Sequence, residues 1–349
     1  MSTSSSTTPN EVAPAGFVPI LDDQLFEHAE RLRDKVVIIT GAANGIGKET
    51  ATRFASFGAR IVIGDLDVAG AEQTISEIVA SGGQAVAQKC NVTVWDDQVD
   101  LFELAIKRFG SVDVVIPNAG IGEPEDFLKV KLDKIGKPQK LNMPTVQVNL
   151  IGVMYTVHLA QYYLVQRRPD STSLKAIILI GSMASWSSFP LAPTYSACKH
   201  AVLGLMRSLD PIVSARGIRI ACITPFFAET GIITPLKVFL AGCPLTPVPR
   251  IAGAIIYAAS HPDPATSGCG YILPDDGPVF KVPREEFKMG VYKVLDDRLK
   301  SVKGIVYVVR FLQDIVKLVA KPLLASVTVL GLARALWSNR EVLRGFVKI

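Results

Sequence analysis

Tyr195 and Lys199 stand four residues apart at the start of a helix-length segment, which puts both side chains on one face and lets them converge on a single pocket. The chemistry open to such a pair is proton transfer at a carbon–oxygen centre. When an alcohol gives up a hydride, its hydroxyl proton must leave as the carbonyl forms. Near neutral pH that requires a base stronger than water within hydrogen-bond reach. A tyrosinate would serve, but a free tyrosine titrates at about 10, so the Lys199 ammonium would have to favour the anion. A lone Tyr-x-x-x-Lys is more often packing than chemistry. Ser182 changes that balance: it follows the apolar run Ala176 to Ile180 after one glycine, thirteen residues before Tyr195, and offers a hydroxyl to a substrate oxygen as charge develops.

A second cluster could hold a nucleotide. The apolar run Val36 to Thr40 leads into Gly41-Ala42-Ala43-Asn44-Gly45-Ile46-Gly47, after which a helical pattern begins. Glycines there allow a tight turn and let the backbone approach a pyrophosphate at the helix N-terminus, where free N–H groups and the helix dipole favour an anion. The next apolar run ends at Asp65, whose carboxylate can accept hydrogen bonds from ribose hydroxyls and would repel the extra phosphate of NADP. No Lys or Arg lies between Gly41 and Gly47, and none directly follows Asp65. The expected cofactor is therefore NAD, with NADP as the alternative.

Elements that would position these residues are legible as alternating periods. Short β-branched runs (36–40, 60–64, 112–117, 176–180, 218–223, 271–273) alternate with amphipathic stretches such as 47–57 and 68–80. This pattern predicts an α/β fold: a Rossmann-type, doubly wound parallel sheet with helices on both faces, followed by a C-terminal helical extension. The organisation reads as an N-terminal arm over 1–33, partly disordered because Ser, Thr and Pro offer little apolar surface; a nucleotide-binding domain over 34–283; and a basic extension over 284–349. Of the 349 residues, 49% are hydrophobic, yet no uncharged apolar run reaches about 18 residues. Five scattered cysteines and four histidines show no metal or redox spacing, so no metal is expected. The first ten residues lack a basic start and an apolar segment, which points to a cytoplasmic, reducing location. The net charge of +5 comes from the tail, where Lys and Arg outnumber Asp and Glu, and no nucleic-acid motif accompanies it.

The pattern Thr-Gly-x-x-x-Gly-x-Gly at Thr40 to Gly47, with Ser182, Tyr195 and Lys199 in order after it, resembles the short-chain dehydrogenase/reductase family over roughly residues 34–283. The resemblance implies that Gly41, Asn44, Gly45, Ile46 and Gly47 hold the pyrophosphate, and that Tyr195 and Lys199 meet the nicotinamide ribose, whose positive ring also favours the tyrosinate. Asn91-Val92 resembles the family's Asp-Val pair beside the adenine, with Asn in place of Asp. Asn118-Ala119-Gly120 resembles its Asn-Ala-Gly motif, preceded by Pro117 instead of a second Asn. Asn149 matches the family's fourth catalytic residue, which holds a water in a proton relay to the lysine; the plain reading is a helix asparagine bonding its own backbone. Thr230 fits the threonine that contacts the nicotinamide amide, with Phe226 where the family has glycine. The wording around Ser182 and Lys199 looks most like the hydroxyprostaglandin-dehydrogenase-like branch, with fungal members in secondary metabolism. Homo-oligomers are common in the family.

Met183, Trp186, Phe189, Pro190, Phe226, Phe227 and the loop 232–244 would frame a substrate, and aromatic walls with few charges favour a bulky hydrophobic alcohol or ketone. The expected activity is NAD-dependent oxidation of such an alcohol. The alternatives are an NADPH-dependent carbonyl reductase and a non-catalytic binding protein of the same fold. The tail has two readings: an interfacial helix giving peripheral membrane contact, or a cap over the core or a partner subunit.

Overall fold

A computed structural model of the chain describes residues 16–166, 173–187, 189–236 and 240–287. Residues 1–15 of the expected arm and residues 288–349 of the expected tail lie outside the described residues. The strands are β1 (Val18–Ile20), β2 (Val36–Thr40), β3 (Arg60–Asp65), β4 (Gln84–Lys89), β5 (Val114–Ile116), β6 (Ala176–Ile180), β7 (Arg219–Pro225), β8 (Gly270–Leu273) and β9 (Val279–Val282). They form one sheet in the order β1-β9-β8-β7-β6-β5-β2-β3-β4. Every pairing from β4 to β8 is parallel, and the two that add β9 and β1 are antiparallel. The Rossmann-type α/β architecture read from the periods is thus the fold of the described chain.

The central strands β2, β5 and β6 are largely apolar because both faces are covered. All five residues of β2 are buried, and they alternate between two cores: Val37 and Ile39 face one, Val36 and Ile38 the other. The first core is roofed by α1 (Gly45–Ser56), α2 (Val68–Ala80) and, later in the chain, α7 (Val248–Ser260). The second is roofed by α3 (Trp95–Phe109), α5 (Val153–Tyr163) and α6 (Pro193–Ser214). A short α4 (Pro144–Val146) runs into a π turn, Gln147–Gly152, and then α5. The strand order reverses between β3 and β5 on either side of β2, and in sheets of this kind ligands enter the crevice at the carboxyl ends of such strands. Every site residue named from sequence follows the carboxyl end of a strand or lies on a helix beside it.

The later part of the expected arm packs on the sheet. Residues 18–32 belong to the folded unit: β1 pairs with β9, while Leu25, Ala29 and Leu32 are buried in the first core. Arg250 on α7 clamps this segment through Asp22, with nitrogen–oxygen distances of 2.7 and 2.8 Å. A three-residue strand and single-turn helices carry too few residues for a period to show. The same brevity hid β9, while β4 lacks β-branched content apart from Val86.

All five cysteines are free, and only Cys243 is exposed. Burial pushes the Cys90 and Cys222 thiols up to about 12, and raises Cys198 and Cys269. These four are packing residues rather than nucleophiles. Among the described residues no helix is long and apolar enough to cross a membrane.

Candidate active site

The glycine turn after β2 is fixed from two sides. Gly41 N–H donates to Gly64 O on β3 (2.8 Å), and Asn118 Nδ2 donates to Thr40 O (3.0 Å) and Gly41 O (2.6 Å) from the segment after β5. Ala119 N–H donates to Thr40 Oγ1 (3.1 Å). The turn requires glycine: Gly41 has φ +69°, and a Cβ there would lie 2.6 Å from Ala119 Cα. A Cβ on Gly47 would collide with the Gly41 carbonyl oxygen. Asn44 is the N-cap of α1, and its side chain makes no capping bond. The first N–H groups of α1, including Gly45, Ile46 and Gly47, therefore suit an anion such as a pyrophosphate.

Asp65 accepts Ala43 N–H at Oδ2 (2.8 Å) and Asp67 N–H at Oδ1 (3.0 Å). Two backbone bonds thus orient the carboxylate, and each oxygen keeps lone-pair capacity for a ribose hydroxyl. Asn91 is more locally committed. Its Oδ1 accepts from Thr93 N (3.1 Å) and Oγ1 (2.9 Å), a turn lock that an Asp could also make. Val92 is buried against Gly152. Thr230 lies across the mouth of the turn, its methyl 3.4 Å from the Cβ position of Gly45.

The proton-handling residues gather at the end of β6. Ser182 begins a one-turn helix, Met183–Ser185, through a reciprocal cap: Ser182 Oγ accepts Ala184 N–H (3.2 Å), and Ser182 N–H donates to Ser185 Oγ (3.1 Å). Because Ser182 Oγ only accepts here, its proton can be donated elsewhere. That turn packs against α6. Lys199 Nζ lies 5.4 Å from the centroid of the Tyr195 ring and donates to Ile180 O (2.9 Å). Lys199 is buried, 7% exposed as a residue, so its charge faces the ring with little screening by solvent.

Asn149 is fully buried in the π turn and bonds neither its own helix nor its neighbours. Its Nδ2 donates to Ile121 O (2.8 Å), and its Oδ1 accepts Ile121 N–H (2.9 Å). It fixes the segment that continues from Asn118-Ala119-Gly120. Single π turns of this kind are frequent at functional sites.

Glu123 was not singled out from the sequence. Its Oε2 accepts Tyr195 N–H at 2.8 Å, seventy-two residues away. Tyr195 is the third residue of α6, and the N-cap is Ala192, which has no side-chain acceptor. Glu123 therefore caps the helix that carries Tyr195; its other oxygen is buried without a partner among the described residues. No motif signals this role, since only the fold brings residue 123 to residue 195. Glu123→Ala should lower stability by about 1 kcal/mol, and Glu123→Gln, which keeps an acceptor, should recover most of it in thermal unfolding.

Two residues expected to frame a substrate, Trp186 and Met183, make contacts within the fold. Trp186 donates from Nε1 to Thr224 Oγ1 (3.0 Å), stacks under Arg207 and packs against Gly270 on β8. Met183 joins it against Ile272, Phe280 and Val282. Both side chains are half-buried, and the indole N–H has an internal partner. The remaining rings do meet, with Phe227 contacting Phe226 (centroids 4.8 Å apart) and Phe189 (5.5 Å). The loop 232–244 lies only partly within the described residues.

The sequence profile of the short chain dehydrogenase family matches residues 35–238, more than half of the chain. The chain belongs to the short-chain dehydrogenase family. Similar proteins include the short-chain dehydrogenase/reductase ascJ of Acremonium egyptiacum, 33% identical with 70% of this chain and 76% of that protein covered. The 5'-hydroxyaverantin dehydrogenase of Dothistroma septosporum is 32% identical (59% and 71% covered). The cyclohexanol dehydrogenase of an Acinetobacter strain is 29% identical (60% and 79% covered). This dehydrogenase is accordingly an oxidoreductase acting on CH–OH groups with a nicotinamide cofactor. The glycine cradle, the uncapped N-terminus of α1 and the oriented Asp65 carboxylate fit a dinucleotide.

Proposed function

We propose that this dehydrogenase oxidises a bulky, apolar secondary alcohol to a ketone with NAD. The observation that carries the reading is the buried Lys199 ammonium 5.4 Å from the Tyr195 ring, tethered to the strand end that leads into Ser182. Tyr195 would take the hydroxyl proton as base. Lys199 places a positive charge beside the ring and would bind the nicotinamide-ribose hydroxyls. Ser182 would donate to the substrate oxygen and hold it as charge develops. Asn149, by fixing Ile121, would shape the proton exit beside Lys199. A bound nicotinamide supplies the hydride acceptor. Asp65 favours NAD, because the 2′-phosphate of NADP would be brought against a carboxylate.

The Phe189, Phe226 and Phe227 rings and the names of two relatives, which specify hydroxyaverantin and cyclohexanol, support a cyclic, apolar alcohol over a small polar one. The test is NADH or NADPH fluorescence on a panel of cyclic and polycyclic secondary alcohols. Turnover should be seen with NAD and be at least about tenfold weaker with NADP, a difference of about 1.4 kcal/mol in cofactor discrimination. Preference for NADPH with the matching ketones would instead make the enzyme a carbonyl reductase.

A further inference from the structure

Between Glu123 and Pro144 the chain leaves the sheet and returns; its outgoing end is anchored in the site through Ile121 on Asn149 and Glu123 on Tyr195, and its return is tied back by Thr145 Oγ1 donating to Gly122 O (3.0 Å). Its outer part is a hairpin closed by an antiparallel bridge between Leu132 and Pro138. Gln139 N–H donates to Lys131 O, and Asp133 N–H to Lys137 O, both at 2.8 Å. At the tip, Asp133 Oδ1 accepts N–H bonds from Ile135 and Lys137, each at 2.9 Å, and Gly136 supplies the left-handed residue at φ +78°. A turn bonded in this way presents its side chains in a fixed array.

What it presents is apolar. Leu128 is 82% exposed, Ile135 76%, Val130 66% and Leu132 58%. A patch of this kind on one loop marks a contact surface more often than an ordinary solvated face. Lysines interleave with it: residues 127–143 hold five lysines against one carboxylate, Asp133. Lys131 is paired with Glu125 at 2.8 Å, while Lys129, Lys134, Lys137 and Lys140 are exposed.

We infer that the hairpin 127–143 docks this enzyme on an anionic lipid surface, the apolar side chains entering the headgroup boundary and the lysines meeting phosphate and carboxylate headgroups. Apolar bulk and positive charge on one element are the two components of interfacial binding. The same patch is poorly suited to a second copy of the chain, because a two-fold contact would set its lysines against each other. A nucleic acid would meet the lysines but leave four large apolar side chains in water. The inference does not depend on which alcohol is oxidised. Docking through this excursion would bring the site it borders toward the membrane.

The experiment is sedimentation of the full chain with phosphatidylcholine vesicles, with and without phosphatidylserine. Two double variants at exposed positions are compared, Leu128→Ser with Ile135→Ser and Lys134→Gln with Lys137→Gln. The intact protein should bind the phosphatidylserine vesicles and release them as salt is raised. Each double variant should bind at least about tenfold more weakly, with unchanged thermal unfolding. No binding to either vesicle overturns the proposal. So does binding that both variants retain, which would place the contact elsewhere in the chain. A change of oligomeric state in the variants without vesicles would make the hairpin an interface between copies, and would equally overturn it.

Discussion

Tyr195→Phe should lower kcat for alcohol oxidation by about 10²- to 10⁴-fold, the usual contribution of a positioned general base, while dinucleotide binding persists. The substitution removes one oxygen and disturbs little else. The Tyr195 backbone N–H still reaches Glu123, and Lys199 is held by Ile180 O whatever stands at 195. A loss of activity cannot then be ascribed to an unravelled helix or a displaced ammonium. The measurement is steady-state turnover alongside NADH fluorescence on binding. Retention of turnover within about tenfold would remove Tyr195 from the proton-transfer role, because a lost general base is not compensated by orientation alone.

Gly47→Ala is the second large effect, and it acts on the cofactor. The added methyl would meet the Gly41 carbonyl oxygen, the Asn118 carboxamide and Ala42 Cα. None of these can retreat easily, since Gly41 is bonded to Gly64 and Asn118 holds both Thr40 and Gly41. The turn must open, and the α1 N–H groups move with it. Overpacking of this kind costs about 1–3 kcal/mol, so NAD affinity should fall by about 5- to 150-fold in a fluorescence titration. Gly204→Ala is the control: Gly204 is exposed on α6, with nothing within 4 Å of its Cβ position among the described residues. There the same methyl should raise stability by about 0.5–1 kcal/mol through helix propensity. Equal NAD affinity in wild type and Gly47→Ala would show that the turn is not the phosphate cradle.

Much of this enzyme was legible in its sequence because the informative signals are short-range. Four consecutive apolar residues at Val36 to Ile39 ending in Thr40, then glycines, then an amphipathic run identify a strand, a turn and a helix without knowledge of any neighbour. Tyr195 and Lys199 share a face by helix period alone, and the structure puts them 5.4 Å apart, ammonium to ring. Trp186 shows what such reading leaves open. It follows Ser182 closely enough to be taken for a substrate wall, yet a one-turn helix directs its ring inward onto Thr224 and Gly270.

The sequence by itself determined the longer apolar strands and amphipathic helices, the glycine turn and the residue types available for proton transfer, because these follow from steric limits and periods within a few residues. Tertiary structure decided the partners. Residue 18 pairs with residue 281, Asn149 fixes Ile121, Lys199 reaches Ile180 and Glu123 caps the helix of Tyr195. Each is a contact between segments brought together by strand order and crossover. The free energy that selects such contacts comes from burying two helix layers on one sheet, and that burial leaves no local trace at residue 123 or residue 18.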